Sequence, residues 1–530
     1  MFNRAWKPIL GAAVVGAPSA YIYYRYTESN KYPTFTINVK DKGPDGKASM
    51  VKRSFPLLSK AAVDQRINES ATLTSQPPSQ GLVWKHTTAH LSSNNPIEDA
   101  HAQAVITTEA TSSDPARNLL FYAVMDGHAG FNTSRLLSHV LIPAVVLELT
   151  AFAREADASA KTLSVLDILK SPFSFSPQPG MTVPRDKRVE RVSQAIQRAF
   201  YNVDFEIING PLRVLAANVS KLDNANTPDL SQHPMAEASM LPALSGSCAL
   251  MAFLDPSRQD LYVACTGDSR AVAGIWEESE DGTGKWRVEV LSEDQTGRNP
   301  NEIRRIQSEH PASEAEDVIS RGRILGGLEP SRAFGDARYK WPREVQETLY
   351  KAFIAGAGKA MRPAPPALKT PPYVIATPVV THRKLSLPKS GLPKEKSTSL
   401  KFLILATDGL WDELSSEEVV SLVGGYFSGL KGTVSKASLQ TLVPTTSGSA
   451  TVQGKEQTRG NARQGSWAFV DDNVSAHLIR NAFGGGDEDE LRKILSIPAP
   501  HSRRWRDDVT VTVVWWEEAQ ESSLGKKAKL

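Results

Sequence analysis

Five acidic clusters stand beside apolar runs in this chain, and their spacing could support chemistry. The run 119–125 leads into Asp126-Gly127-His128, the run 261–266 into Gly267-Asp268-Ser269-Arg270, and the run 402–406 into Thr407-Asp408-Gly409. Asp507-Asp508 precede the run 509–516, and Glu98-Asp99 stand before His101, Val105 and Ile106. If these runs are neighbouring strands, the carboxylates meet at one edge of a sheet. Carboxylates held that close repel and must protonate unless a cation neutralises them. Ligation through oxygen alone points to a hard divalent ion, Mg²⁺ or Mn²⁺, which keeps several waters. Glycine after Asp126 and after Asp408 allows a tight turn and lets a backbone carbonyl approach the ion. One Asp-Gly at a strand end reads most simply as a turn. Five acidic clusters, each fused to an apolar run, fit that reading poorly.

The elements that must position these groups are mixed. Runs 119–125, 249–254, 261–266, 402–406 and 509–516 are short and rich in apolar, β-branched or aromatic residues, the pattern of strands. Pro256 and Ser257 lie between the second and third of them, so those two should form a hairpin. Val189, Val192, Ile196, Ala199, Phe200 and Val203 have helical spacing. Ser415 and Glu418 make a capping box ahead of Val419 and Val420. A further helix carries Ala476, Leu478, Ile479, Ala482 and Phe483 and should stop at Gly484-Gly485-Gly486. Strands in hairpin-like sets, not in alternation with helices, predict an α+β sandwich and not a doubly wound sheet.

Bulk composition narrows the function further. Of 530 residues, 61 are Lys or Arg and 58 are Asp or Glu, a net charge of +3, which argues against a nucleic-acid binder. With 40% hydrophobic and 22% charged residues the chain is not globally disordered. Cys248 and Cys265 are its only cysteines, excluding a disulfide scaffold and a cysteine zinc site. A cysteine-dependent phosphatase loop needs five residues between its Cys and Arg. Cys265 and Arg270 have four between them, so both cysteines are read as packing residues.

Residues 1–30 form a basic, acid-poor leader, with Arg4 and Lys7 ahead of an uncharged stretch and Tyr21, Tyr23 and Tyr24 before Arg25. It predicts mitochondrial targeting, in the matrix or anchored at the inner membrane through that stretch. Residues 31–80 are expected to be a linker and 81–517 the folded domain. Insertions are expected at 361–400, rich in Pro and Lys, and at 431–466, rich in Gly, Ser and Thr, with a polar tail at 518–530.

Taken in order, Pro96-Ile97-Glu98-Asp99-Ala100-His101, Val124-Met125-Asp126-Gly127-His128-Ala129-Gly130, Gly246-Ser247-Cys248-Ala249, Thr266-Gly267-Asp268-Ser269-Arg270, Leu325-Gly326-Gly327, Ser331-Arg332-Ala333-Phe334-Gly335-Asp336, Ala406-Thr407-Asp408-Gly409-Leu410-Trp411-Asp412 and Arg506-Asp507-Asp508-Val509-Thr510-Val511 closely resemble the PPM (type 2C) metal-dependent Ser/Thr protein phosphatases. Asn94-Asn95-Pro96, the segment Ala476-His477-Leu478-Ile479-Arg480 and the Asp507-Asp508 doublet look most like the mitochondrial pyruvate dehydrogenase phosphatase branch.

The resemblance implies a sandwich of two antiparallel β-sheets flanked by α-helices, with two ions in the cleft between sheet edges. By likeness, Asp126 would bridge the ions, Asp408 and Asp507 would complete one site, and Glu98 with the Gly127 carbonyl would serve the other. Asp268 would share a weaker third site with Asp408, and Asp99 and Asp412 would orient water. His128 would be the general acid for the leaving serine or threonine, and a metal-activated water the nucleophile. The implied substrate is a phosphoprotein, with the pyruvate dehydrogenase complex as first candidate. The alternatives are an active phosphatase on other mitochondrial phosphoproteins and an inactive PPM-like scaffold. One departure is notable: where many members carry a phosphate-gripping arginine four residues before the glutamate, this chain has Asn94. Arg270 and Arg332 are not assigned to that role, and Arg332 is a candidate partner of Asp336.

Overall fold

The structure is a computed structural model that describes residues 33–519 except 43–47, 80, 109–115, 159–184, 220–226, 280–282, 389–398 and 448–464. Two sheets form its centre. In the first, the order is Thr445–Thr446, Gly284–Val290, Arg270–Glu278, Ser399–Ala406, Val509–Glu518, Leu82–Leu91, Thr72–Ser75. Only the short Thr445–Thr446 strand pairs in parallel there. The second sheet runs Val379–Lys384, Asp260–Thr266, Gly246–Asp255, Arg117–His128, Ala100–Thr108, all antiparallel, with Phe334–Gly335 paired beside Gly246–Asp255.

Side-chain alternation explains the layering. In Arg117–His128 the residues Leu120, Tyr122 and Val124 enter the core between the sheets, where they meet Ala271, Ala273 and Leu403 of the first sheet. Their neighbours Leu119, Phe121, Ala123 and Met125 point the other way, against helices Asn132–Ala158 and Arg185–Asn218. A strand buried on both faces has no polar side, so it reads as a continuous apolar run. Helices Ser416–Phe427 and Val474–Ala482 cover the outer face of the first sheet with Val420, Val423, Leu478 and Ile479. The capping box predicted at Ser415 and Glu418 is formed, and Pro256-Ser257 lie in the expected hairpin. The architecture is the α+β sandwich of two sheets flanked by helices.

Three expectations need correction. The described residues of the expected linker at 31–80 are folded: Thr34–Lys42 and Ala48–Pro56 pair antiparallel, and helix Lys60–Asn68 buries Val63 and Ile67 beneath the first sheet. Each of these elements buries only one narrow face, so their sequences look polar. Residues 361–400 are not simply an insertion, because Leu368, Tyr373 and Val374 are buried and Val379–Lys384 is a strand of the second sheet. Proline there marks irregular backbone, not missing packing. In 431–466, Leu439 and Val443 are buried and Thr445–Thr446 extends the first sheet. The leader and its expected anchor, like residues 520–530, lie outside the described residues.

Candidate metal centre

The strand ends deliver their carboxylates to one place. Asp126 lies two residues from the end of strand Arg117–His128 in the second sheet, Asp268 sits in the turn from Asp260–Thr266 to Arg270–Glu278, and Asp408 opens the short helix Asp408–Trp411. Their oxygens lie within 4.8 Å of one another. Burial, followed by the charges of Asp408, Asp99 and Asp268, pushes the Asp126 carboxyl well above the usual carboxylate range. Asp99 is 8% exposed, accepts a hydrogen bond from Thr407 Oγ1 at 2.9 Å, and is pushed up by burial and then by Asp508. Its Oδ1 is buried near the Thr510 hydroxyl, with no hydrogen bond of ordinary length among the described residues. An under-satisfied carboxylate oxygen beside three crowded ones is what a cation or its water would satisfy. The donor set, all oxygen, fits a hard divalent ion.

Glu98 joins this edge from a loop. Its Oε1 accepts the Gly130 N–H at 2.7 Å and its Oε2 the Asn94 amide at 3.2 Å, while burial pushes its carboxyl upward. Gly127 is needed here, because a Cβ on it would stand 2.0 Å from the Glu98 carbonyl oxygen. Asp507 accepts its neighbour's N–H at 2.6 Å and is ion-paired with Arg503. Asp412 follows Asp408 by one helical turn, its N–H donating to the Asp408 carbonyl at 2.8 Å, and lines a small cleft with Asp268 and Asp408. The structure therefore gathers Asp126, Asp268 and Asp408 tightly, with Asp99 and Glu98 around them. Asp507 is turned to an arginine.

His128, two residues past Asp126, points its Nε2 at Asp336 Oδ2, 2.6 Å away. Burial works against the imidazolium, but the Asp336 charge and hydrogen bond outweigh it and raise the imidazole above its ordinary value. The pair exists because residue 246 is glycine: a Cβ there would lie 2.1 Å from the imidazole nitrogen and 2.4 Å from the carboxylate. This assigns Asp336 to His128. Arg332 is instead held by Glu302 at 2.7 and 3.0 Å, and Arg270 by Asp294 at 2.5 and 3.0 Å.

Asp508 is the functional residue that sequence reasoning missed. Its carboxylate accepts the N–H groups of Ser93 (2.5 Å), Asn94 (2.9 Å) and Glu98 (2.8 Å), and the Asn94 amide (2.9 Å). One buried side chain thus shapes the loop that carries Glu98. The only hint was an acidic doublet with a single metal role to share. Cys248 and Cys265 are buried, as packing residues should be. The Cys248 thiol donates to Asp268 at 3.2 Å and is pushed well above its usual range by burial and then by Asp268 and Asp126.

Comparison with known proteins agrees with this geometry. The family model described as protein phosphatase 2C matches residues 209–428. A protein phosphatase 2C homolog of Schizosaccharomyces pombe is 36% identical over 439 residues, covering 82% of this chain and 81% of that protein. The mitochondrial pyruvate dehydrogenase (acetyl-transferring) phosphatase 1 of Saccharomyces cerevisiae is 34% identical over 461 residues, covering 84% and 71%. The human mitochondrial phosphatase 2 of the same description is 30% identical over 441 residues, covering 80% and 76%.

Proposed function

The chain belongs to the protein phosphatase 2C family, on its pyruvate dehydrogenase phosphatase-like branch, and is a protein serine/threonine phosphatase; from that premise we propose that it works with Mg²⁺ or Mn²⁺ held at the converging strand ends. The observation that carries this is the close approach of Asp126, Asp268 and Asp408, a group that must take up protons unless a cation neutralises it. Asp126, Asp408 and Asp507 would hold one ion, Asp126, Glu98 and the Gly127 carbonyl another, and Asp268 with Asp408 a third. Bound there, divalent ions activate water for in-line attack at phosphorus and offset charge on the phosphate.

The protein's own residues supply the rest. His128 donates its proton to the departing serine or threonine oxygen, and Asp336 keeps that imidazole protonated and aimed. Asp99 and Asp412 orient the attacking water. Gly127 and Asp508 fix the Glu98 loop against the strand end.

For substrate and location we propose a phosphorylated pyruvate dehydrogenase in mitochondria, which is what the names of the relatives in yeast and human support. The test is phosphate release from phosphoserine peptides after chelation, expected to return with Mn²⁺ or Mg²⁺ and to be abolished in Asp408→Asn. Turnover that persists in excess chelator sinks the metal reading. Good activity on peptides with none on phosphorylated pyruvate dehydrogenase moves the substrate to another phosphoprotein.

A further inference from the structure

Arg503 is ion-paired with Asp507, a carboxylate expected to hold metal. It lies in the short turn Ser502–Arg504. The backbone around it is anchored. Ser502 is buried with its Oγ donating to the Ser93 carbonyl at 2.5 Å, and Arg506 is buried, donating to the Ile494 carbonyl at 2.6 Å. The Arg503 side chain between them is 44% exposed, so it can turn about its own bonds without disturbing the loop.

A guanidinium and a divalent ion cannot share the oxygens of Asp507 without strong like-charge repulsion. Metal must therefore displace Arg503, leaving a half-exposed, permanently charged fork at the rim of the centre. A planar guanidinium matches two oxygens of a phosphate. Four other polar side chains already have partners. The Asn94 amide bonds Asp508 and Glu98, Arg270 is buried on Asp294, Arg332 is held by Glu302, and Arg298 by Glu329 at 2.6 Å.

We propose that Arg503 has two positions: it is the counter-ion of Asp507 in the metal-free protein and the residue that grips the substrate phosphate once metal is bound. It thus supplies from the far end of the chain the contact that Asn94 does not. This rests on the metal-dependent phosphatase reading.

The experiment compares the full chain with Arg503→Gln and Arg503→Lys. Calorimetric titration of metal-free protein with Mn²⁺, with no substrate present, reads the first position. Loss of the competing charge should tighten Mn²⁺ binding in Arg503→Gln several-fold. Steady-state kinetics on a phosphoserine peptide at saturating Mn²⁺ read the second. The KM and the inhibition constant of inorganic phosphate should both rise on the order of tenfold, with kcat affected far less, as expected for loss of a charged hydrogen bond. Arg503→Lys should recover part of the KM, which a purely structural role would not allow. An active Arg503→Gln with wild-type KM and phosphate inhibition overturns the phosphate role, and unchanged Mn²⁺ affinity overturns the counter-ion role. Absence of Mn²⁺-dependent turnover in the wild type overturns the underlying reading instead.

Discussion

The Nε2 of His128 lies 2.6 Å from Oδ2 of Asp336, although 208 residues separate them in the chain. Burial alone would strip the proton from this imidazole, and Asp336 reverses that balance. Asp336→Asn keeps the shape of the side chain, including its left-handed backbone at φ 51°, which asparagine tolerates. It removes the charge, so the imidazole should lose its proton at lower pH. The basic limb of the pH–kcat profile is then expected to move to lower pH. A profile that keeps its limb would show that His128 is not the group whose protonation limits the rate.

Asp126 makes a prediction about stability with the opposite sign to the usual loss on mutation. A carboxyl raised in the folded state costs stability once pH exceeds its ordinary range, because the unfolded chain ionises it freely. Asp126→Asn removes that cost. Metal-free Asp126→Asn should therefore melt above metal-free wild type at pH 7. Mn²⁺ should stabilise the wild type by about 2.7 kcal/mol at a hundred times its Kd and the variant by much less. Thermal scans with and without chelator check both halves. A variant that melts lower without metal contradicts the crowding of charge inferred at this site.

Residues 126, 268 and 408 were legible because each sits where an apolar run stops, and a run that stops at Asp-Gly or Gly-Asp marks a strand end. The helices were legible where a local signal existed, as at the Ser415–Glu418 cap. What stayed hidden was set by contacts between distant segments. Nothing near Asp508 shows that it will hold residues 93–98, and nothing near Glu302 shows that it will take Arg332. The paired strands and helix within 34–68 escaped for another reason: they expose most of their surface, so their apolar periodicity is weak.

Asp508→Ala should loosen the Glu98 loop more than the fold as a whole. It leaves the Ser93, Asn94 and Glu98 N–H groups without their acceptor in a buried setting. Unsatisfied donors of this kind cost about 1–3 kcal/mol each when water cannot reach them. The unfolding midpoint in urea should fall, and hydrogen exchange at residues 93–98 should speed up. Unchanged protection there would show that Asp508 does not organise the loop.

Glu302 predicts how acid weakens the domain. It is buried at 3% exposure, and it accepts from Arg332 at 2.7 and 3.0 Å, Arg305 at 2.8 Å and Ser331 at 2.7 Å. Burial would raise its carboxyl, but the two arginines outweigh that and bring it from 4.5 down to about 2. At about 1.4 kcal/mol per pH unit, that depression is worth about 3 kcal/mol at neutral pH. Because the folded value is the lower one, the contribution is full above the ordinary range near 4.5 and is lost as pH falls toward 2. Glu302→Gln should therefore be destabilised by about 3 kcal/mol at pH 7, in the range for breaking one side of a buried ion pair. Its deficit against wild type should shrink by pH 3, where part of the wild-type advantage has already gone. Urea midpoints of the two proteins at both pH values decide it. A deficit of equal size at pH 7 and pH 3 would mean that the Glu302 carboxylate is held by its shape in the core and not by the arginine charges.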